Sequence, residues 1–308
     1  MDRAPIMKYR PKHIVEYGAL RTFAFLFEVL PKHAALRLGE GLAAIAFYVC
    51  RFRRSVAEDR IRSVFGDRYN ATEVTRIAWR SWRNVGLNAV EMIRARRMTR
   101  EAVLGYYDSG DLHDKFADEL KKGKGLVIAV PHTGNWEFSA LVGYYAGIPV
   151  FSFAATQRNP LVNHYMNALR EGPGIPTIQR DSGSLRDVIR RLRGNQALAI
   201  LPDVRMRTPG LQIPFLGGTA NIGPGMASFA RQTGAPLILC YPRREKLCDL
   251  SVELQTTIYP DTSLSKSEDI ERMTREVLAH VDALIREAPE QWFWFNKRWI
   301  LDPLDADA

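Results

Sequence analysis

The chain has 308 residues, enough for one large domain or two small ones, and its 46% hydrophobic and 25% charged content excludes an intrinsically disordered chain. The formal net charge of +9 suits an anionic membrane surface, nucleic acid or an acidic partner, and equally a merely basic soluble protein. Cys50, Cys240 and Cys248 form neither a CxxC pair nor a metal-ligand spacing, so reduced thiols facing a cytoplasm and no bound metal are expected.

The first hundred residues read as helical. Ile14–Leu30 and Ala34–Val49 are apolar but interrupted by Glu16, Arg21, Glu28, Arg37 and Glu40, so neither is a clean membrane span. An amphipathic hairpin turning near Pro31 and lying on a bilayer fits better, with Arg51, Arg53 and Arg54 toward anionic headgroups; two ordinary helices packed on the core are the alternative. The basic N-terminus lacks a small-residue cleavage site, so no signal peptide is expected. A long helix should run from Thr72 to about Arg97, with Glu73 in its first turn.

From about Leu104 the pattern changes. Short apolar runs at Leu126–Val130, Pro149–Phe153, Pro176–Ile178, Ala197–Leu201 and Leu237–Tyr241 alternate with helical stretches at Trp136–Ala146, Pro160–Arg170, Leu185–Arg193 and Pro224–Gln232. Such alternation predicts an α/β fold with a mostly parallel central sheet flanked by helices. Ser251–Thr257 reads as an antiparallel edge strand, and Ser265 to about Glu287 as a final long helix. The expected organisation is an N-terminal helical, membrane-associating region over residues 1–103 and an α/β core over 104–308, with no repeats or low-complexity linkers.

Open α/β sheets place ligands at strand exits. The first predicted strand ends in Pro131-His132-Thr133-Gly134-Asn135-Trp136-Glu137. Histidine takes a proton near neutral pH, and a carboxylate that fixes its tautomer makes it a better base. In a continuous helix His132 and Glu137 would sit about 140° apart. A bend at Gly134 removes that objection, so Glu137 is expected to orient His132. Later exits carry Arg158-Asn159-Pro160, Gly174 to Arg180, and Asp203-Val204-Arg205-Met206-Arg207. Arginine suits phosphate and carboxylate groups. Arg180 competes with a surface ion pair to Asp181 or Asp187, and Arg205 and Arg207 fit a solvated role equally well.

This ordered set resembles the glycerolipid acyltransferase superfamily, whose His-x4-Asp/Glu pair and Gly-x-x-x-Ile-x-Arg segment correspond to His132–Glu137 and Gly174–Arg180. It is most similar to the bacterial lipid A late acyltransferases (lauroyl/myristoyl transferases), which are related to phosphatidylinositol mannoside acyltransferase. Further carriers are Ile213 to Ala220, Ala230 to Pro236 and Pro289 to Trp294. One departure is Val204, where many members have glutamine after the aspartate.

The resemblance implies acyl transfer from an acyl-thioester, on acyl carrier protein or CoA, to a hydroxyl of a glycolipid such as a lipid A precursor in lipopolysaccharide biosynthesis. His132 and Glu137 would be catalytic, and Asn135, Arg158, Arg180, Asp203 and Arg205 would bind substrate. Backbone N–H groups near Gly134, or Arg158, would face the oxyanion, and the N-terminal helices would wall an apolar groove. No cofactor or metal is implied, since a thioester is already activated. The expected place is the cytoplasmic face of the inner membrane. Other acceptors (a mannolipid, an ornithine lipid or a lysophospholipid) stay open, as does a non-catalytic lipid-binding protein. Nucleic acid is not expected, because no recognition helix, zinc or RNA-binding motif appears.

Overall fold

A computed structural model describes residues 9–154, 158–172, 174–179 and 184–304. Pro11, at the first turn, opens α1 (Pro11–Val29), and after Leu30-Pro31 the chain continues into α2 (Lys32–Ala44). A π-helical turn follows over Ile45–Val49, then α3 (Arg54–Phe65). Asn70 and Glu73 form a capping box at the start of α4 (Ala71–Ala95). Gly39 lets α2 lie directly on α4, since a Cβ there would meet Val90 Cγ2 at 2.5 Å. Ala35, Leu36, Leu87, Val90 and Ile93 close that contact. Among the described residues no helix is long and apolar enough to cross a membrane.

The remaining chain runs α5 (Arg100–Leu104), β1 (Tyr107–Asp108), α6 (Leu112–Leu120), β2 (Leu126–Ala129), α7 (Trp136–Tyr145), β3 (Val150–Ala154), α8 (Pro160–Glu171), β4 (Thr177–Gln179) and α9 (Ser184–Arg193). It continues with β5 (Ala197–Ile200), a hairpin of β6 (Leu211–Phe215) and β7 (Gly218–Ile222), α10 (Gly225–Thr233), β8 (Leu237–Arg244), β9 (Leu250–Ile258) and α11 (Lys266–Glu287). The main sheet has the order β1-β9-β8-β2-β5-β3-β4. Its pairs are parallel except β8 with β9. The mixed α/β architecture with a mostly parallel sheet is therefore present. Ser251–Thr257 is antiparallel as expected but is not the edge, because the short β1 pairs outside it.

The β6–β7 hairpin takes up the Ile213 to Ala220 block, for which no strand was expected. β2, lined by Leu126, Val127, Ile128 and Ala129, is buried on both faces. That accounts for its unbroken apolar run.

From β2 the chain crosses over β5 to β3, whereas from β5 it crosses β2 to β8. The two connections leave in opposite directions. A crevice therefore opens at the carboxyl ends of β2 and β5, the point where open α/β sheets hold ligands.

Candidate active site

The register of β2 against β5 builds the site. Ala129 pairs with Ile200, and Val130 N–H donates to Ile200 O at 3.0 Å. Three residues further along each strand stand His132 and Asp203. Asp203 is buried and accepts three hydrogen bonds. His132 Nδ1 lies 2.8 Å from Oδ1, while the His132 backbone N–H, at 2.9 Å, and the Trp292 indole Nε1–H, at 2.7 Å, both reach Oδ2. An ionised carboxylate only accepts, so Nδ1 carries the proton and Nε2 is left as the basic nitrogen.

Burial disfavours the charged imidazole, but the Asp203 charge and hydrogen bond, with a smaller contribution from Glu137, outweigh it and raise the His132 pKa above its ordinary value. Burial likewise opposes the Asp203 charge. His132 and the three hydrogen bonds outweigh it and hold the carboxyl below the usual range.

This geometry corrects the expected dyad. Glu137 does not hydrogen-bond His132; it forms a two-pronged ion pair with Arg170 of α8, at 2.8 Å to Nε and 2.5 Å to Nη2. The reason is local. Helix α7 begins at Trp136, so Glu137 sits in its first turn and faces α8, while the neighbouring strand exit delivers Asp203 to the imidazole. Asp203 is thus the carboxylate that meets the imidazole, with both of its oxygens engaged by protein donors.

Asn135 is corrected as well. It is fully buried, with Oδ1 accepting from Phe138 N–H at the start of α7 and Nδ2 donating to Glu91 Oε2 at 2.6 Å. Arg205 is buried with its guanidinium on the backbone carbonyls of Asp302 and Pro303, where it fastens the C-terminal segment. Arg158 is exposed, just beyond β3 and directly before the Asn159 cap of α8. Arg180 lies outside the described residues. Gly134 N–H donates to Gln291 O, so this amide is not directed at an oxyanion.

The loop carrying His132 is held from three sides. Gly134 has φ 49°, and a Cβ there would lie 2.6 Å from the Pro242 backbone, so the bend requires glycine. The segment after α11 runs antiparallel beside the loop, with Thr133 bridging Trp292 and Phe293 N–H donating to His132 O. Trp136 stands edge-on to the imidazole at 5.0 Å.

The third support comes from α4. Ser81, Asn84, Asn88 and Glu91 recur at steps of three and four, which places them on one helix face, and all four are buried. Ser81 donates to Trp292 O, Asn84 to Glu290 O, and Asn88 to Gly134 O. Glu91 receives Asn135 and both terminal nitrogens of Arg244 from β8. Nothing in the sequence marked this stripe, since polar residues at helical spacing read equally well as a solvated face.

An apolar hollow of about 40 Å3 lies under α6 and α7 on one face of the sheet. Leu112, Phe116, Ile128, Val130, Val142 and Val252 are among its walls. Val130 places it two residues from His132. The N-terminal helices do not line this hollow; their buried faces pack on α4 and α8.

The family described as bacterial lipid A biosynthesis acyltransferase matches residues 10–300. The chain belongs to that family. It is 25% identical over 199 residues to a phosphatidylinositol mannoside acyltransferase of Mycolicibacterium smegmatis, covering 62% of each protein. It is 25% identical over 174 residues to a lipid A biosynthesis acyltransferase of Haemophilus influenzae, covering 56% of this chain and 53% of that one. A phosphatidylinositol mannoside acyltransferase of Mycobacterium tuberculosis is 24% identical over 232 residues, covering 72% of this chain and 68% of its own length. The match thus spans about three fifths of the first of these relatives and about half of the second.

Proposed function

We propose that this chain transfers a fatty acyl group from a thioester to a hydroxyl of a membrane glycolipid. The observation that carries the reading is the His132–Asp203 pair at the carboxyl ends of β2 and β5. His132 Nε2 takes the proton of the acceptor hydroxyl as its oxygen attacks the thioester carbonyl. The C–S bond then breaks, and the imidazolium returns the proton to the departing thiolate. No covalent enzyme intermediate is needed, because the thioester is already activated. General-base catalysis of this kind contributes about 10²–10⁴-fold.

The acyl chain packs against the apolar walls of the hollow under α6 and α7, beside the strand that leads to His132, and widens it on entry. Arg158, exposed at the β3 exit, serves the developing oxyanion or a phosphate of substrate. The donor carrier is acyl carrier protein, whose acidity complements the net charge of +9, with CoA as the other thioester source.

Lipid A precursors and mannolipids are the acceptors that the relatives' names suggest. Mass spectrometry of lipids from a strain lacking the gene separates them: one glycolipid should accumulate with a single acyl chain missing. Unchanged lipids, together with no thioester consumption by the purified protein in the presence of those membranes, would support a non-catalytic lipid-binding role.

The same reading places the protein on the cytoplasmic face of the inner membrane through α1, α2 and the turn after them. Val15, Phe23, Phe25, Val29, Ile45 and Val49 are exposed there. Of the expected basic group, Arg51 is exposed, whereas Arg53 donates to Phe295 O and Asn296 O, and Arg54 pairs with Glu58. Burying one such side chain contributes about 1.5–3 kcal/mol. Phe25→Glu with Val49→Glu should therefore weaken flotation with anionic vesicles by about tenfold or more. Flotation equal to the wild type would remove this face as the membrane contact.

A further inference from the structure

We infer that Trp292 is a positioning residue of the acyl-transfer site, acting through Asp203. The inference rests on the His132–Asp203 reading above. An aspartate that orients an imidazole must present one oxygen to it and must not rotate. Asp203 achieves this by using its two oxygens differently. Oδ1 meets His132 Nδ1, whereas Oδ2 is held by two N–H donors, the His132 backbone and the Trp292 indole. The backbone donor comes from the same loop as the imidazole. Trp292 is the donor from a separate part of the chain, 89 residues from Asp203 in sequence.

Trp292 is itself fixed. It is fully buried, packs edge-on against Trp294 at 4.8 Å and against Phe215 at 6.2 Å, and its carbonyl accepts from Ser81 of α4. Its backbone bridges Thr133, the residue after His132. One residue therefore touches both the loop that carries the base and the carboxylate that orients it. The segment after α11 is part of the site, although no side chain of it is asked to meet substrate. The indole also spreads the Asp203 charge. A carboxylate relieved of that donor holds an imidazolium more tightly. The other titratable group bearing on His132 is Glu137 from α7, and its pair with Arg170 is untouched by a change at Trp292.

The test is Trp292→Phe, which keeps an aromatic ring in the cluster and deletes the N–H. Thiol release is followed with a myristoyl thioester as donor and membranes from a strain lacking the gene as acceptor, across pH. Loss of one hydrogen bond to a charged group predicts kcat lower by roughly tenfold to a hundredfold, KM values near those of the wild type, and an acid limb of kcat/KM moved to higher pH. A residue that merely packs would raise KM or lower the yield of folded protein and leave the acid limb in place. That result overturns the inference.

Should Trp292→Phe not fold, the wild-type protein decides through its indole ¹⁵N–¹H resonances. One of the six tryptophans should show an exchange-protected indole proton whose shift titrates with the acid limb and collapses in Asp203→Ala. Absence of such a resonance overturns the inference. Inactivity of His132→Ala beside wild-type behaviour of Trp292→Phe removes only Trp292, whereas activity in His132→Ala removes the reading beneath it.

Discussion

His132→Ala is expected to lower acyl transfer by about 10²–10⁴-fold, the range of a positioned general base. Asp203→Ala should lose on the order of a hundredfold in kcat, because the imidazole then has neither a fixed tautomer nor a partner for its positive charge. The pH profile separates Asp203 from Glu137. His132 must be neutral to act as a base, so the acid limb of kcat/KM reports its protonation. With its pKa raised by Asp203 against the opposing burial, the wild-type midpoint should lie above the ordinary histidine value of 6.5.

Asp203→Asn removes the negative charge and leaves burial, so the midpoint should fall. Glu137→Gln should move it less, since Glu137 is the smaller influence and is already matched by Arg170. Any activity lost at Glu137 should come from loosened packing of α7 against α8. A larger shift in Glu137→Gln than in Asp203→Asn would reverse this assignment and restore the dyad that sequence spacing suggests.

The second large effect concerns stability. Glu91 and Arg244 face each other through two hydrogen bonds of 2.7 and 2.6 Å, and each side chain is 1% exposed. Asn88, Asn135 and Tyr106 complete the network. Removing one member of such a pair strands a charge in a medium that solvates it poorly, at a cost of about 3–5 kcal/mol. Glu91→Ala and Arg244→Ala should each lower the Tm by on the order of 10 °C, taking about 2–4 °C per kcal/mol for a protein of this size.

The double variant Glu91→Leu with Arg244→Met should recover part of that loss, because no unpaired charge remains. Calorimetry of the three proteins checks both statements. Additive losses in the double variant would show that the pair is not coupled. Activity should fall further than stability, since Glu91 also holds Asn135 and Asn88 holds Gly134, the two residues on which the His132 loop turns.

Much of this protein is legible in its sequence. The apolar runs at Leu126, Ala197 and Leu237 specify β2, β5 and β8, because a strand buried on both faces must be apolar along its length. The long helices expected from Thr72 and from Ser265 begin at Ala71 and Lys266 as α4 and α11. The heptad after β2, with a histidine and a glycine at a strand exit, singles out His132 and its bend. The order of further motifs identifies the family that residues 10–300 match.

Partners were decided only by the tertiary structure. Which carboxylate meets His132 depends on β5 lying beside β2 with Ala129 opposite Ile200. That pairing brings Asp203 to the imidazole from 71 residues away and leaves Glu137, five residues away, to Arg170. Likewise, polar residues at helical spacing on α4 and an arginine such as Arg205 look the same in sequence whether they face water or backbone carbonyls. Burial, which only packing sets, turns them into supports of the site. A local pattern fixes how a segment folds. Hydrogen bonds between segments follow strand order and register, which no single segment encodes.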